Sequence, residues 1–332
     1  MSEKGLDPIK PKYSSDIDDR PGAVGDGTEP IKPGEAKPKE TRLQDIVYNQ
    51  PVDHLGTHVY VKGFIDPETQ RPPIIFMHDL GDSSISYQEA VRELASRGFS
   101  CFIYDQRGHG RSGSILGHID KFDDFVSDLL QVVNWVRFKC DRKVPFIISH
   151  GMSAVSLIHF LAPFQVQVRG CMMLSPCLEG KVLGLQRSLI HLLAEIAPKF
   201  RIPLKLTPKL FTTEGSVSIT AKLADEFLSH LSTLPQVFSR IRIPVHLVHP
   251  KKDSNFDYTK TFEMIGRHRE KDLFQSSSVS LSDRAIKNPT EFTSVVDLME
   301  SWLLSEIALQ PSSQQKDAPT EEDDGSKVTS KK

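Results

Sequence analysis

Short, continuous apolar runs recur through the middle of this 332-residue chain. Each ends in a cluster of Gly, Asp, His or Ser, and most are followed by a stretch with helical spacing. Residues 73–78 (PIIFMH), 99–105 (FSCFIYD), 144–149 (VPFIIS), 168–174 and 243–249 (IPVHLVH) have the length and composition of strands buried on both faces. Residues 56–64 and 273–281 read as further strands. Residues 87–96, 122–138, 154–161 and 292–309 carry apolar side chains at helical spacing. Strands separated by helices imply an α/β fold with a doubly wound, mostly parallel sheet, because a helix is the usual crossover between parallel strands. In such a sheet, ligands bind outside the carboxyl ends of the strands.

Residues 177–240 interrupt this rhythm. They lie between two strands, are helical and punctuated by Pro, and read as an inserted helical cap over the strand ends. Residues 1–41 and 311–332 are rich in Pro, Gly, Ser and charged residues and poor in large apolar ones, so both are expected to be disordered tails flanking one domain at 42–310. The net charge of −2 supplies no basic field for nucleic acid. No run reaches membrane-spanning length, and the first thirty residues hold no signal-peptide core. Cys101, Cys140, Cys171 and Cys177 fit no zinc spacing and read as buried free thiols. The expectation is a cytoplasmic protein with no cofactor and no metal.

Three strand ends carry chemistry-bearing strings: His78-Asp79-Leu80-Gly81, then Asp105-Gln106-Arg107-Gly108-His109-Gly110-Arg111-Ser112-Gly113, then Ser149-His150-Gly151-Met152-Ser153. With Ser175-Pro176 and the cap, these strings resemble the monoacylglycerol-lipase and serine-aminopeptidase-like branch of the α/β-hydrolases. That branch reads H-G-x-G, D-x-R-G-H-G-x-S and G-H-S-M-G, and the resemblance spans about residues 45–305. It implies an α/β-hydrolase sheet with a helical cap and a carboxylic-ester hydrolase site.

The second string is complete; the other two are altered. Gly151 stands at the nucleophile position and has no side chain to attack with, although glycine suits the strained backbone of such a corner. Asp253, in His249-Pro250-Lys251-Lys252-Asp253, matches the acid position. Counting back from Trp302 places Ser282 at the base position, and no histidine follows residue 273. The oxyanion donors implied by the resemblance are the backbone N–H groups of Leu80 and Met152. Asp79, where the family has glycine, brings a negative charge that disfavours an oxyanion there. Ser149 and Ser153 flank the corner and are expected to point away from it. His78, His109 and His150 match family positions without a catalytic role.

Within the cap, Val182, Leu183, Leu185, Leu189, Ile190, Leu192, Leu193 and Ile196 form a broad apolar helix face, read first as packing over the pocket mouth and second as contact with lipid. With nucleophile and base both missing, the expected function is that of a catalytically impaired pseudo-hydrolase that binds a small apolar or acyl ligand or a protein partner. Peripheral membrane contact would run through the cap. The alternative is an active carboxylic-ester serine hydrolase using a non-standard residue set.

Overall fold

Four runs of four or five residues are buried along their whole length, and they form the centre of the sheet: β3 (Ile74–Met77), β4 (Cys101–Tyr104), β5 (Phe146–His150) and β6 (Gly170–Leu174). β1 (Gln44–Pro51), β2 (His58–Ile65), β7 (Val245–Pro250) and β8 (Phe274–Val279) complete it. The order is β1-β2-β4-β3-β5-β6-β7-β8. β1 and β2 pair antiparallel, as do β2 and β4, and every pair from β4 through β8 is parallel. The computed structural model describes residues 43–53, 56–178, 182–203, 218–251, 259, 263, 271–282 and 284–309. The two stretches expected to be tails, 1–41 and 311–332, lie outside the described residues.

The helices are α1 (Gln88–Ser96), α2 (Asp123–Lys139), α3 (Ser153–Phe164), α4 (Gly184–Ile196), α5 (Ala221–Phe238) and α6 (Phe292–Leu309). The period of two along each strand sorts the core into two layers. Ile75, Met77, Ile147, Cys171 and Met173 face the cluster built by α2, α3, α4 and α5. Their neighbours Ile74, Phe76, Phe146, Ile148, Met172 and Leu174 face the cluster built by α1 and α6. Each such side chain contributes about 1.5–3 kcal/mol when fully buried, and this two-sided burial fixes the register of the strand ends that carry the site.

Two expectations need correction. The sequence reading has no strand at 44–51. β1 is an edge strand with mostly exposed residues, so it shows neither the apolar run of a central strand nor a clean alternation. It is held instead by its ladder to β2 and by Tyr48 stacking on Trp135 at 4.9 Å. The second correction concerns α4. Only Ile190 and Ala194 are buried on it, while Leu185 (86% exposed), Leu189, Leu192 and Ile196 (70% exposed) turn outward. The helix rests on α5 along a narrow seam, so most of the apolar stripe does not pack onto the core. Among the described residues, no helix is long and apolar enough to cross a membrane. All four cysteines are buried, and none forms a disulfide.

Candidate active site at the β3 and β5 strand ends

β5 ends at His150, Gly151 makes the turn with φ +61°, and α3 begins at Ser153. A side chain rarely adopts that backbone angle, and glycine does so without penalty. The Gly151 N–H donates to the Leu174 carbonyl (3.0 Å) and its carbonyl accepts the Cys177 N–H (3.1 Å), so the corner is tied to the end of β6.

The space over Gly151 is filled. A Cβ placed on Gly151 would collide with Cγ, Oδ1 and Oδ2 of Asp79. Asp79 Oδ1 accepts the Leu80 N–H at 2.8 Å and the Met152 N–H at 2.8 Å. Thus the two N–H groups marked by the resemblance as oxyanion donors both converge on one point, and a carboxylate oxygen of the chain itself is there. Burial pushes the Asp79 carboxyl above its usual range, against the opposing pull of His150 and of the Met152 and Leu80 N–H groups.

Neighbouring groups hold this carboxylate in place. The Asp79 N–H donates to the Tyr87 hydroxyl oxygen (3.1 Å), which is 2.9 Å from His150 Nδ1. His78 Nε2 accepts the Gln106 N–H at 2.9 Å, which leaves Nδ1 to donate to the Asp79 carbonyl at 2.7 Å. Lys287 pairs with Asp82 at 2.8 Å and joins the loop after β8 to the loop after β3. Burial raises the Asp82 carboxyl, but the hydrogen bond and charge of Lys287 outweigh it and hold the group below its usual range. Sequence reasoning missed Tyr87, Asp82 and Lys287. Nothing in their local sequence marks them, since their partners lie far along the chain.

The other residues singled out from the sequence fall as follows. Ser282 lies in the loop after β8, and its hydroxyl donates to Glu291. Asp253, at the acid position, lies outside the described residues. Ser149 is fully buried, and the Ser153 hydroxyl donates to the His150 carbonyl at 2.8 Å, so both are turned into the strand–helix junction. His109 is packed against His78 and Phe125, with Nδ1 3.0 Å from the Arg107 carbonyl. Burial, then the neighbouring His78, pushes it down to about 4, which keeps it neutral.

This strand order, with the corner after β5 and the helical excursion between β6 and β7, is matched by known proteins. The model of the family described as "Serine aminopeptidase, S33" matches residues 68–276, more than half of the chain. The chain belongs to this α/β-hydrolase family. Relatives include an uncharacterized abhydrolase domain-containing protein of Dictyostelium discoideum, 24% identical over 54% of this chain and 20% of that protein. The monoglyceride lipase of Rattus norvegicus is 27% identical over 43% of this chain and 48% of the lipase. Each of these matches therefore spans less than half of the relative's length. Among solved structures, the monoacylglycerol lipase of Paleococcus ferrophilus superposes with a TM-score of 0.62 at 19% identity, covering 75% of this chain and 99% of that one. At that identity the likeness shows the fold. Within the serine aminopeptidase S33 family, the chain thus keeps the scaffold and has glycine and a seated carboxylate where its motif register places the nucleophile and the oxyanion.

Proposed function

We propose that this protein is a pseudo-hydrolase: an S33-type α/β-hydrolase that does not turn over acyl esters and acts by binding. The observation that carries this reading is the Asp79 carboxylate lying over Gly151 and accepting from both Leu80 and Met152. Ester hydrolysis needs a nucleophile at the corner and a vacant pair of donors for the developing oxyanion. Here the nucleophile side chain is missing and a resident carboxyl oxygen takes the donors. Gly151, Asp253 and Ser282 are accordingly read as the nucleophile, acid and base positions of a dismantled triad, and Leu80 and Met152 as its oxyanion donors.

What remains is a scaffold suited to a small apolar or acyl ligand, the class suggested by the names of the lipase relatives, or to a protein partner. The outward stripe of α4, with exposed Arg187 and Lys199 near it, supports peripheral contact with a membrane surface. Four buried cysteines without a disulfide support a reducing compartment such as the cytoplasm.

The test is an ester and monoacylglycerol hydrolysis assay with fluorophosphonate labelling. Loss of a nucleophile or base costs on the order of a millionfold in turnover, so wild type should match a heat-inactivated control and take no label. Gly151→Ser alone should stay inactive. Asp79→Gly, Gly151→Ser and Ser282→His together are the smallest set expected to give measurable hydrolysis. Stoichiometric labelling of wild type at Ser149, Ser153 or another single serine would overturn the reading and establish an active hydrolase with a non-standard residue set.

A further inference from the structure

The outward stripe of α4 has a spacing of its own. Leu185, Leu189, Leu192 and Ile196 follow one another at intervals of four, three and four residues. On a helix of 3.6 residues per turn they lie within about 60° of one another, and all four are exposed. Ile190 and Ala194, on the opposite side, are buried. Arg187 reaches back to the Leu228 carbonyl of α5 at 3.4 Å, and His191 Nδ1 lies 3.2 Å from the Asp225 carboxylate. One face thus holds the helix to the molecule, and the other is offered to a partner. Alternation of four and three is the seam of a two-helix packing, in which side chains of one helix seat between those of the other. A helix lying on an anionic bilayer instead carries basic residues along its polar face. Within α4 the Lys, Arg, Asp and Glu side chains are Arg187 and Glu195 alone, one of each sign, and Arg187 is drawn towards α5.

The stripe is also symmetric about its own middle. The inner pair, Leu189 and Leu192, and the outer pair, Leu185 and Ile196, share one midpoint, between residues 190 and 191. A second α4 laid antiparallel across a two-fold axis at that level sets Leu189 against the partner's Leu192 and Leu185 against the partner's Ile196. Every layer of the seam is then filled from both sides. On the flanks, Glu195 comes beside the partner's Ser188 and Gln186 beside the partner's Leu193, so no like charges meet. An unrelated partner would not require the stripe to read alike from its two ends; a second copy of the same chain does.

We propose that the α4 stripe is the seam of an antiparallel, two-fold homodimer of this protein. The inference names the protein partner left open in the binding role stated above and rests on that half of the reading, independently of whether hydrolysis is lost. Four apolar side chains per copy bury less than the roughly 1,200–2,000 Å² of a stable interface. The pair should therefore exchange with single copies, with a Kd on the order of 10 μM.

The experiment is sedimentation of the full chain over a concentration series spanning about 1–200 μM around that Kd. A reversible monomer–dimer equilibrium is expected. Leu189→Glu with Leu192→Glu, and Leu189→Lys with Leu192→Lys, each set like charges against each other in the inner layers. Each double variant should self-associate at least about tenfold more weakly than wild type. An equimolar mixture of the two should regain dimers, because each inner layer then pairs Glu with Lys. The changed positions are exposed, and melts followed by circular dichroism check that the variants fold; the wild-type series stands even where one does not. Flotation of the same samples with vesicles of phosphatidylcholine and phosphatidylserine distinguishes a bilayer as the occupant. A wild-type chain that stays monomeric, whether it floats with vesicles or not, would overturn the proposal. So would dimers that both double variants keep, or a mixture of well-folded variants that stays monomeric. Ester hydrolysis on the same samples separates the two readings: turnover defeats the pseudo-hydrolase and leaves the dimer standing, and a monomeric wild type does the reverse.

Discussion

Two turns at the same edge of the sheet share one construction. In the Asp105–Gly113 turn, Gly110 has φ +50° and a Cβ there would collide with the Asp105 carboxyl. Asp105 Oδ1 accepts the Ser84 N–H (2.5 Å) and Oδ2 the Arg111 N–H (2.8 Å). At the corner, Gly151 has φ +61°, and the Asp79 carboxyl lies where its Cβ would be, accepting from Leu80 and Met152. The first turn belongs to the string that matches the family in full. The second belongs to the two strings that depart from it. The comparison teaches that the corner after β5 has the same carboxyl-over-glycine form that serves a neighbouring turn as a structural clasp.

The largest effect should come from putting a side chain under either carboxylate. Gly151→Ser should cost about 2–5 kcal/mol in denaturant unfolding, from left-handed backbone strain of about 1–3 kcal/mol and overpacking of similar size. Gly110→Ala should cost a similar amount. The pairs differ in rescue. Asp79→Gly should recover at least half of the Gly151→Ser loss, whereas Asp105→Gly should not rescue Gly110→Ala, because Asp105 also ties its turn to the β3 loop through Ser84. A double-mutant cycle with no coupling between positions 79 and 151 would break the comparison.

A smaller effect is expected from truncating the carboxylates themselves. Each acid satisfies two backbone donors, and a buried donor left unpaired costs about 1–3 kcal/mol. Asp105→Ala and Asp79→Ala should both destabilise, Asp79→Ala the less, since it also removes a charge whose burial is unfavourable. Equal or reversed losses by chemical denaturation would show that the two clasps are not built alike.

The smallest effect is a dependence on pH. The folded-state pKa of Asp79 is raised by burial. Its contribution to stability is therefore full below the ordinary carboxylate pKa and is lost as pH rises through the folded value. Asp79→Asn has no such loss. Unfolding free energies of the variant relative to wild type, measured from pH 4 to 8, should rise with pH by about 1.4 kcal/mol per unit of raised pKa. A flat or falling difference would mean that the N–H donors and His150 outweigh the burial.

Most of the fold was legible because the central strands announce themselves: a run such as IIFM, buried on both faces, is apolar throughout. β1 was not legible, since an edge strand that shows most of its residues to water has no such constraint. The position of Gly151 at the corner could be read from the string around it, and so could the charge that Asp79 brings. What could not be read was that these two residues touch. They are brought together only when β3 and β5 pair in register, Met77 beside Ser149. One signal was available: a side chain gained at 79 and one lost at 151 are complementary in volume. The face of α4 misled for the opposite reason, because apolar spacing shows that a helix has a stripe and not which way it points.

The seating of Asp79 on Gly151 also acts as a ratchet. From the present sequence, a serine regained at position 151 meets an occupied site and a loss of stability before it can confer any activity. A glycine regained at position 79 opens the site but finds no nucleophile beneath it. On the proposed reading, a route to a reactive corner therefore has an enforced order, with position 79 first, and its opening step brings no catalytic gain. The coupling measured between positions 79 and 151 is the penalty for taking the two changes in the other order.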